Sequence, residues 1–201
     1  MQKSIKLWDN KRFIMHRLVA IYILCGCLAI LSLAAELNAK SHENFKVAIY
    51  TRAYEVQMMQ DNHYLDSTWQ AISSQMKVDK IYLETHRDTR IVDQETLTKA
   101  KKFFESKGLK VAGGITYTIS EPNFFETYCY NNPQHRKKVQ EIIEYSARNF
   151  DEVILDDFFF TSCKCAECVK TKGDRSWAEY RLEMMTEASK NLIVGPAKAV
   201  N

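Results

Sequence analysis

The sequence predicts an α/β protein of the (β/α)8 TIM-barrel type, truncated to about its first four βα units. Three observations carry this. Short apolar runs alternate four times with stretches of helical periodicity, which implies a parallel sheet with right-handed crossovers. No glycine-rich phosphate loop follows the first run, where a nucleotide-binding open sheet would need one. The segments after the third and fourth runs are long, aromatic and acidic, as at the catalytic face of a barrel. A doubly wound open sheet is the competing architecture. The chain stops at Val194-Gly195-Pro196-Ala197-Lys198-Ala199-Val200-Asn201 without another strand. A complete barrel takes about 250 residues, so the expectation is the N-terminal half of a barrel over 45–201, with two strand edges unpaired.

The first strand is Phe45-Lys46-Val47-Ala48-Ile49-Tyr50, running on toward Thr51-Arg52-Ala53-Tyr54. A polar loop covers 60–66. Asp66 or Ser67 caps a helix to about Met76, with Trp69, Ile72 and Met76 on one face. Ile81-Tyr82-Leu83-Glu84 is the second strand and leads into Thr85-His86-Arg87-Asp88. Asp93 or Thr96 opens the next helix, whose apolar face is Leu97, Ala100, Phe103 and Phe104, and Gly108 ends it. The third strand is 110–117. A long loop holding Phe124, Phe125, Tyr128, Cys129 and Tyr130 precedes a helix that starts at Pro133, with Val139, Ile142, Ile143 and Ala147 at helical spacing. Val153-Ile154-Leu155 is a buried strand ending in Asp156 and Asp157, followed at once by Phe158-Phe159-Phe160. After a cysteine-bearing loop, Trp177 to about Leu192 forms the last helix.

Residues 1–35 stand apart. Lys3, Lys6, Lys11, Arg12 and Arg17 precede an uncharged run from Leu18 to Ala35 with small residues at Ser32 and Ala34. This is the pattern of a signal peptide cut near Ala34, or of an uncleaved anchor just long enough to span a bilayer. Either way the rest is expected outside the cytoplasm, periplasmic or extracellular, touching a membrane only through this segment. The whole chain holds 28 basic and 25 acidic residues. Without 1–35, which carry five basic residues and one acid, 23 basic and 24 acidic residues remain. The basicity belongs to the leader, and no basic stripe points to nucleic acid. About 165 residues then form a single domain.

An unpaired carboxylate is costly to bury, so two at a strand end need a reason. In parallel α/β folds ligands gather at the carboxyl ends of strands. Adjacent strand residues face opposite ways, so Asp156 and Asp157 are not an acid/base pair across one bond while the strand stays regular. Glu84, ending the second strand, is the best partner; its structural reading is a surface salt bridge with Arg87 or Arg90. Arg52 and Tyr54 could bind the hydroxyls of a ligand, and Tyr117, Tyr128, Tyr130 and Phe159 could stack on its apolar faces, with core packing as the plainer role of each aromatic. Outside the leader the cysteines are Cys129, Cys163, Cys165 and Cys168. Disulfides, a structural zinc site and free thiols or another metal all stay open; every reading places the loops after strands three and four together. His63, His86 and His135 are scattered and read as surface residues.

The stretch from Phe150 to Cys168, with Lys172-Gly173-Asp174-Arg175-Ser176-Trp177, resembles the fourth-strand segment of bacterial secreted glycoside-hydrolase-like TIM barrels, whose strand ends in Asp-Asp before a Cys-x-Cys-x-x-Cys loop. The resemblance implies a carbohydrate substrate, with Asp156 and Asp157 as acid/base or substrate-binding residues and no cofactor required. A non-catalytic carbohydrate-binding barrel and a metal-dependent hydrolase using Asp156, Asp157 and Glu84 are the alternatives.

Overall fold

The computed structural model describes residues 44–201; the leader expected over 1–35 lies outside them. The larger of two compact units, His42–Gln70 with Val78–Asn201, carries the whole sheet. The described part of the other is Ala71–Lys77, the end of a helix and the bend after it.

The sheet is built from β1 (Ala48–Thr51), β2 (Lys80–Arg87), β4 (Lys110–Ile115) and β7 (Val153–Leu155), hydrogen-bonded in that order and all parallel. A short β3 (Arg90–Ile91) folds back antiparallel on the end of β2, and β5 (Thr118–Ser120) pairs with β6 (Glu126–Thr127) as a separate ribbon. Strands consecutive in the chain are thus neighbours in the sheet. A doubly wound sheet reverses its order partway; this one does not, and right-handed crossovers stepping one way put their helices on one face.

Those helices are α1 (Ala53–Met58), α2 (Asn62–Ser73), α3 (Gln94–Ser106) and α4 (Pro133–Asn149), then α5 (Ala166–Lys172) and α6 (Trp177–Ala188). Their starts follow capping chemistry. The Asp93 side chain accepts from the Thr96 amide at 2.8 Å, and the Asn132 side chain accepts from Gln134 and His135. Ser176 and Glu179 close a capping box. Gly108 ends the third helix at φ +81°, where only glycine is unstrained. Against the sheet, α3 and α4 bury Leu97, Ala100, Phe104, Val139, Ile142 and Ile143, facing Ile81, Leu83 and Ile115.

Several boundaries differ from expectation. Arg52 and Tyr54 do not extend β1: Arg52 is the N-cap of α1 and Tyr54 lies in its first turn. The polar stretch at 60–66 is no loop, because the Asp61 side chain accepts from the His63 amide at 2.8 Å and opens α2 there. The cysteine loop contains α5. The last helix does not stop near Leu192 but passes through a π-helical turn (Ser189–Val194) into α7 (Gly195–Val200). Pro196 has no amide for the regular ladder, and a wide turn before it lets the chain continue. No helix among the described residues is long and apolar enough to cross a membrane.

The register fixes what faces away from the helices. Tyr50 aligns with Tyr82 and Ala112, and Glu84 aligns with Gly114 and Ile154; residues two apart on a strand share a face. Ile154 is 41% exposed, so no described element covers this face at β7. Gly114 is required there, since a Cβ would lie 2.7 Å from the Tyr50 ring. Gly114→Ala is therefore expected to push Tyr50 off the sheet and cost about 1–3 kcal/mol, read as a lower melting temperature with the secondary structure retained.

Candidate functional site

The carboxyl ends of β2, β4 and β7 meet at one network centred on Arg87. Its position depends on a bulge. Between Glu84 and His86 the β2–β4 register slips: Glu84 pairs with Gly114, yet His86, not Thr85, pairs with Ile115. In a regular strand residues three apart face opposite sides; one extra residue reverses the parity downstream. Thr85 and His86 thus turn into the core, while Arg87 returns to the face of Glu84.

Glu84 is fully buried, and donors surround both its oxygens. Oε1 accepts from Tyr50 Oη at 2.7 Å and Arg87 Nη2 at 2.9 Å, and Oε2 accepts from the Ala53 amide at 2.6 Å and Arg87 Nε at 2.8 Å. The Thr116 hydroxyl also donates to Glu84. Arg87 pairs in addition with Glu121 and, through Nη2, with Asp156 Oδ2 at 3.2 Å. Burial works against the Arg87 charge, but its bonds to Glu84 and Glu121 outweigh that and raise its pKa above the ordinary value. Burial and the Glu84 charge raise the Tyr50 hydroxyl well above its usual range, so it stays a neutral donor.

Asp156 reaches the surface, with 31% of its side chain exposed, as does Glu121 with 22%. Thr116 Oγ1 lies 2.9 Å from Asp156 Oδ2, its one proton shared between Asp156 and Glu84, and Asp156 Oδ1 accepts from the Asp157 amide at 2.8 Å. Burial alone would raise its pKa; the Asp157 amide, Thr116 and Arg87 more than offset this and hold the carboxyl below its usual value. Asp156 is therefore a carboxylate at neutral pH, suited to act as nucleophile or base rather than as acid. Asp157 is exposed beside Asp156.

The aromatic assignments need correction. Tyr117, Tyr128 and Tyr130 are 1%, 3% and 1% exposed, so none has a ring face free for a sugar. Tyr117 Oη donates to the Val139 carbonyl at 3.1 Å, and Phe159 packs on Tyr117 and Tyr130 with centroids 5.6 and 5.8 Å apart. The exposed rings are their neighbours. Phe125 stacks on Phe158 at 5.0 Å and 13°, and Phe158 on Phe160 at 6.1 Å and 30°; Phe125 and Phe160 are 49% and 42% exposed. Alternation along 158–160 was the available signal: if Phe159 points inward, Phe158 and Phe160 point out.

Arg52 is exposed and pairs with Glu55. Tyr54 donates to Asp88 Oδ2 at 2.6 Å with Arg90 over its ring. The salt bridge between Glu84 and Arg87 exists, but it is buried rather than on the surface. His86 is likewise no surface residue: buried, its pKa is lowered to about 4, and the neutral ring donates from Nδ1 to the Thr116 carbonyl at 2.8 Å while Nε2 meets Tyr128 Oη at 3.2 Å. From sequence Arg87 reads only as a surface partner of Glu84, although it lies in the unbroken polar run Glu84 to Asp88 at a strand end; Thr116 and Glu121 are not singled out.

The four cysteines come together. Cys129 comes from the β4–α4 connection; Cys165 is the N-cap of α5 and Cys168 its third residue, the spacing at which a cap side chain meets the third amide. Their sulfurs lie within 4.8 Å of one another and could bind a metal. Burial pushes the Cys163 thiol up to about 12, whereas the Cys168 amide and neighbouring thiols draw exposed Cys165 down to about 7. Among the described residues these thiols, not Asp156, Asp157 and Glu84, are the group with metal-ligand spacing.

The site thus combines a parallel sheet, an anchored carboxylate at its carboxyl edge and exposed aromatic rings beside it. A family described as probable glycosyl hydrolase, catalytic domain, matches residues 34–201, and the chain belongs to it. An uncharacterized protein of Saccharolobus solfataricus is 29% identical over 187 residues, covering 79% of this chain and 31% of that protein. The chain thus spans about a third of the length of the relative it matches, and that relative is archaeal rather than bacterial. No solved structure matches.

Two outcomes follow from the network. Arg87→Met leaves Glu84 buried without its counter-charge and is expected to cost about 3–5 kcal/mol, measured by denaturant unfolding. Because the Asp156 pKa is depressed in the fold, its stabilisation is complete above the unfolded carboxylate pKa of about 4 and is lost as pH falls through the lower folded value. Asp156→Asn should therefore flatten the acid limb of a stability-versus-pH curve relative to wild type.

Proposed function

We propose that this chain is the N-terminal part of an exported glycoside hydrolase whose sheet closes into a (β/α) barrel with residues of a longer protein. The sequential strand order, the exposed Ile154 on the face away from the helices, and a relative of about threefold greater length support the closure. Asp156 is the catalytic carboxylate of this reading. The observation that carries it is the contrast between two acids of one network: Glu84 is sealed by donors, whereas Asp156 is anchored by Arg87 and Thr116 yet open at the rim.

In this mechanism Asp156 acts ionised, as nucleophile or as the base on water. Glu84 is a positioning residue that fixes the Arg87 guanidinium. Asp157, exposed beside it, accepts from sugar hydroxyls. Phe125, Phe158 and Phe160 offer flat faces for the C–H surface of a sugar ring. The general acid lies in the remainder of the barrel, about 5–5.5 Å from Asp156 for retention or about 6.5–9.5 Å for inversion. The chemistry requires no cofactor.

In the full-length enzyme, Asp156→Asn is expected to lower kcat by at least about 100-fold on any polysaccharide the wild type cleaves, measured as reducing-end release, while the secondary structure is retained and the melting temperature at neutral pH falls only by the stabilisation that the ionised carboxylate supplies. Phe158→Ala should chiefly raise KM. Turnover by Asp156→Asn at the wild-type rate would sink the reading.

A further inference from the structure

We propose that Cys129, Cys163, Cys165 and Cys168 form a structural zinc site that clips the β4–α4 connection to the loop after β7. The inference does not depend on the hydrolase reading. Three separations define the site: Cys129 to Cys165 is 4.0 Å, Cys129 to Cys168 is 3.6 Å and Cys165 to Cys168 is 3.6 Å. Four thiolates at about 2.3 Å from a tetrahedral zinc stand about 3.8 Å apart. The observed separations straddle that value, and each is far longer than the bond of about 2.05 Å that a disulfide needs. Cys163 shares the cluster within 4.8 Å.

The donor set narrows the metal. Four sulfurs and no carboxylate select a soft or borderline cation over magnesium or calcium. Four protein ligands leave no open position, which marks a structural rather than a catalytic site. The surroundings suit ligands. Asn131 Nδ2 donates to Cys168 Sγ at 3.4 Å, and the Cys129 amide donates to His135 Nδ1 at 2.9 Å, fixing the backbone that presents Cys129. Cys129 and Cys168 are buried, while Cys165 is exposed on the wall of a cleft of about 760 Å³, so a cation has a path in. Loading Zn²⁺ on four thiols displaces their protons to solvent and leaves a net charge of −2. Lys164, Lys172, Arg175 and Arg181 pack around Trp177 and Tyr180 beside the cluster and offset it.

The clip also has a structural consequence at the rim. Phe125 precedes Cys129 by four residues, and Phe160 precedes Cys163 by three. The Phe125–Phe158–Phe160 stack is therefore carried by the two segments that the metal would join.

The test uses the purified protein and needs no glycan, so its failure leaves the hydrolase reading standing. Elemental analysis should find one zinc per chain. Chelator treatment should make the four thiols reactive and lower the melting temperature by about 10 °C or more. Reloading with Co²⁺ should give the intense red-region d–d bands and near-ultraviolet charge-transfer band of a tetrahedral tetrathiolate. Cys165→Ser should lose metal to chelator much faster than wild type. Four reactive thiols without metal, a mass reduced by the hydrogens of two disulfides, iron in place of zinc, or wild-type metal retention by Cys165→Ser would each overturn the proposal.

Discussion

The buried ion pair between Arg87 and Glu84 is the constraint on which the carboxyl edge of the sheet depends. Taking both charges out of water costs several kcal/mol per ion, and the fold recovers this only because nearly every remaining donor and acceptor is used. Tyr50 from β1, the Ala53 amide from α1 and Thr116 beyond β4 all converge on Glu84. Three successive strand ends are thereby locked to one carboxylate. The bulge at Thr85 makes this possible, by bringing back to one face two residues that a regular strand would set on opposite faces. Gly114 gives Tyr50 the space to lie across the sheet and reach the pair.

From that lock the rim acquires its chemistry. A guanidinium fully engaged with Glu84 and Glu121 still touches Asp156, and so the carboxylate that reaches solvent is both ionised and held in one orientation. The sealed acid and the open acid have different work because of where the register puts them, not because of their residue types. The cysteine cluster lies along the same edge and joins the loop segments that carry the exposed phenylalanines.

Much of this was legible in the sequence. The four apolar runs, the Asp93 and Pro133 helix starts and the Gly108 stop are local signals, and the structure follows them closely. The Asp156-Asp157 strand end and the grouping of the cysteines were also readable, because residue type and spacing carry them. What was not legible is set by events that pattern cannot show. A one-residue bulge leaves no mark in composition, yet it decided that Glu84 is sealed and that Arg87 faces it. Burial decided the aromatics: Tyr117, Tyr128 and Tyr130 look as suited to a sugar as Phe125 or Phe160, and only packing against α4 and Phe159 separates them. The immediate turn from β1 into α1 was hidden because Arg52 caps that helix without a side-chain bond.

The central claim is that Asp156, held by Arg87 beside the Phe125–Phe158–Phe160 stack, faces a bound glycan. A crystal structure of the full-length protein, inactivated by Asp156→Asn and soaked with an oligosaccharide that the wild type cleaves, tests it most directly. The account predicts a sugar ring lying flat on Phe125 or Phe160, at an end of the stack, and a glycosidic linkage within hydrogen-bonding or attack distance of residue 156. An oligosaccharide seated away from the carboxyl edge of the sheet, with residue 156 facing only solvent, would contradict it.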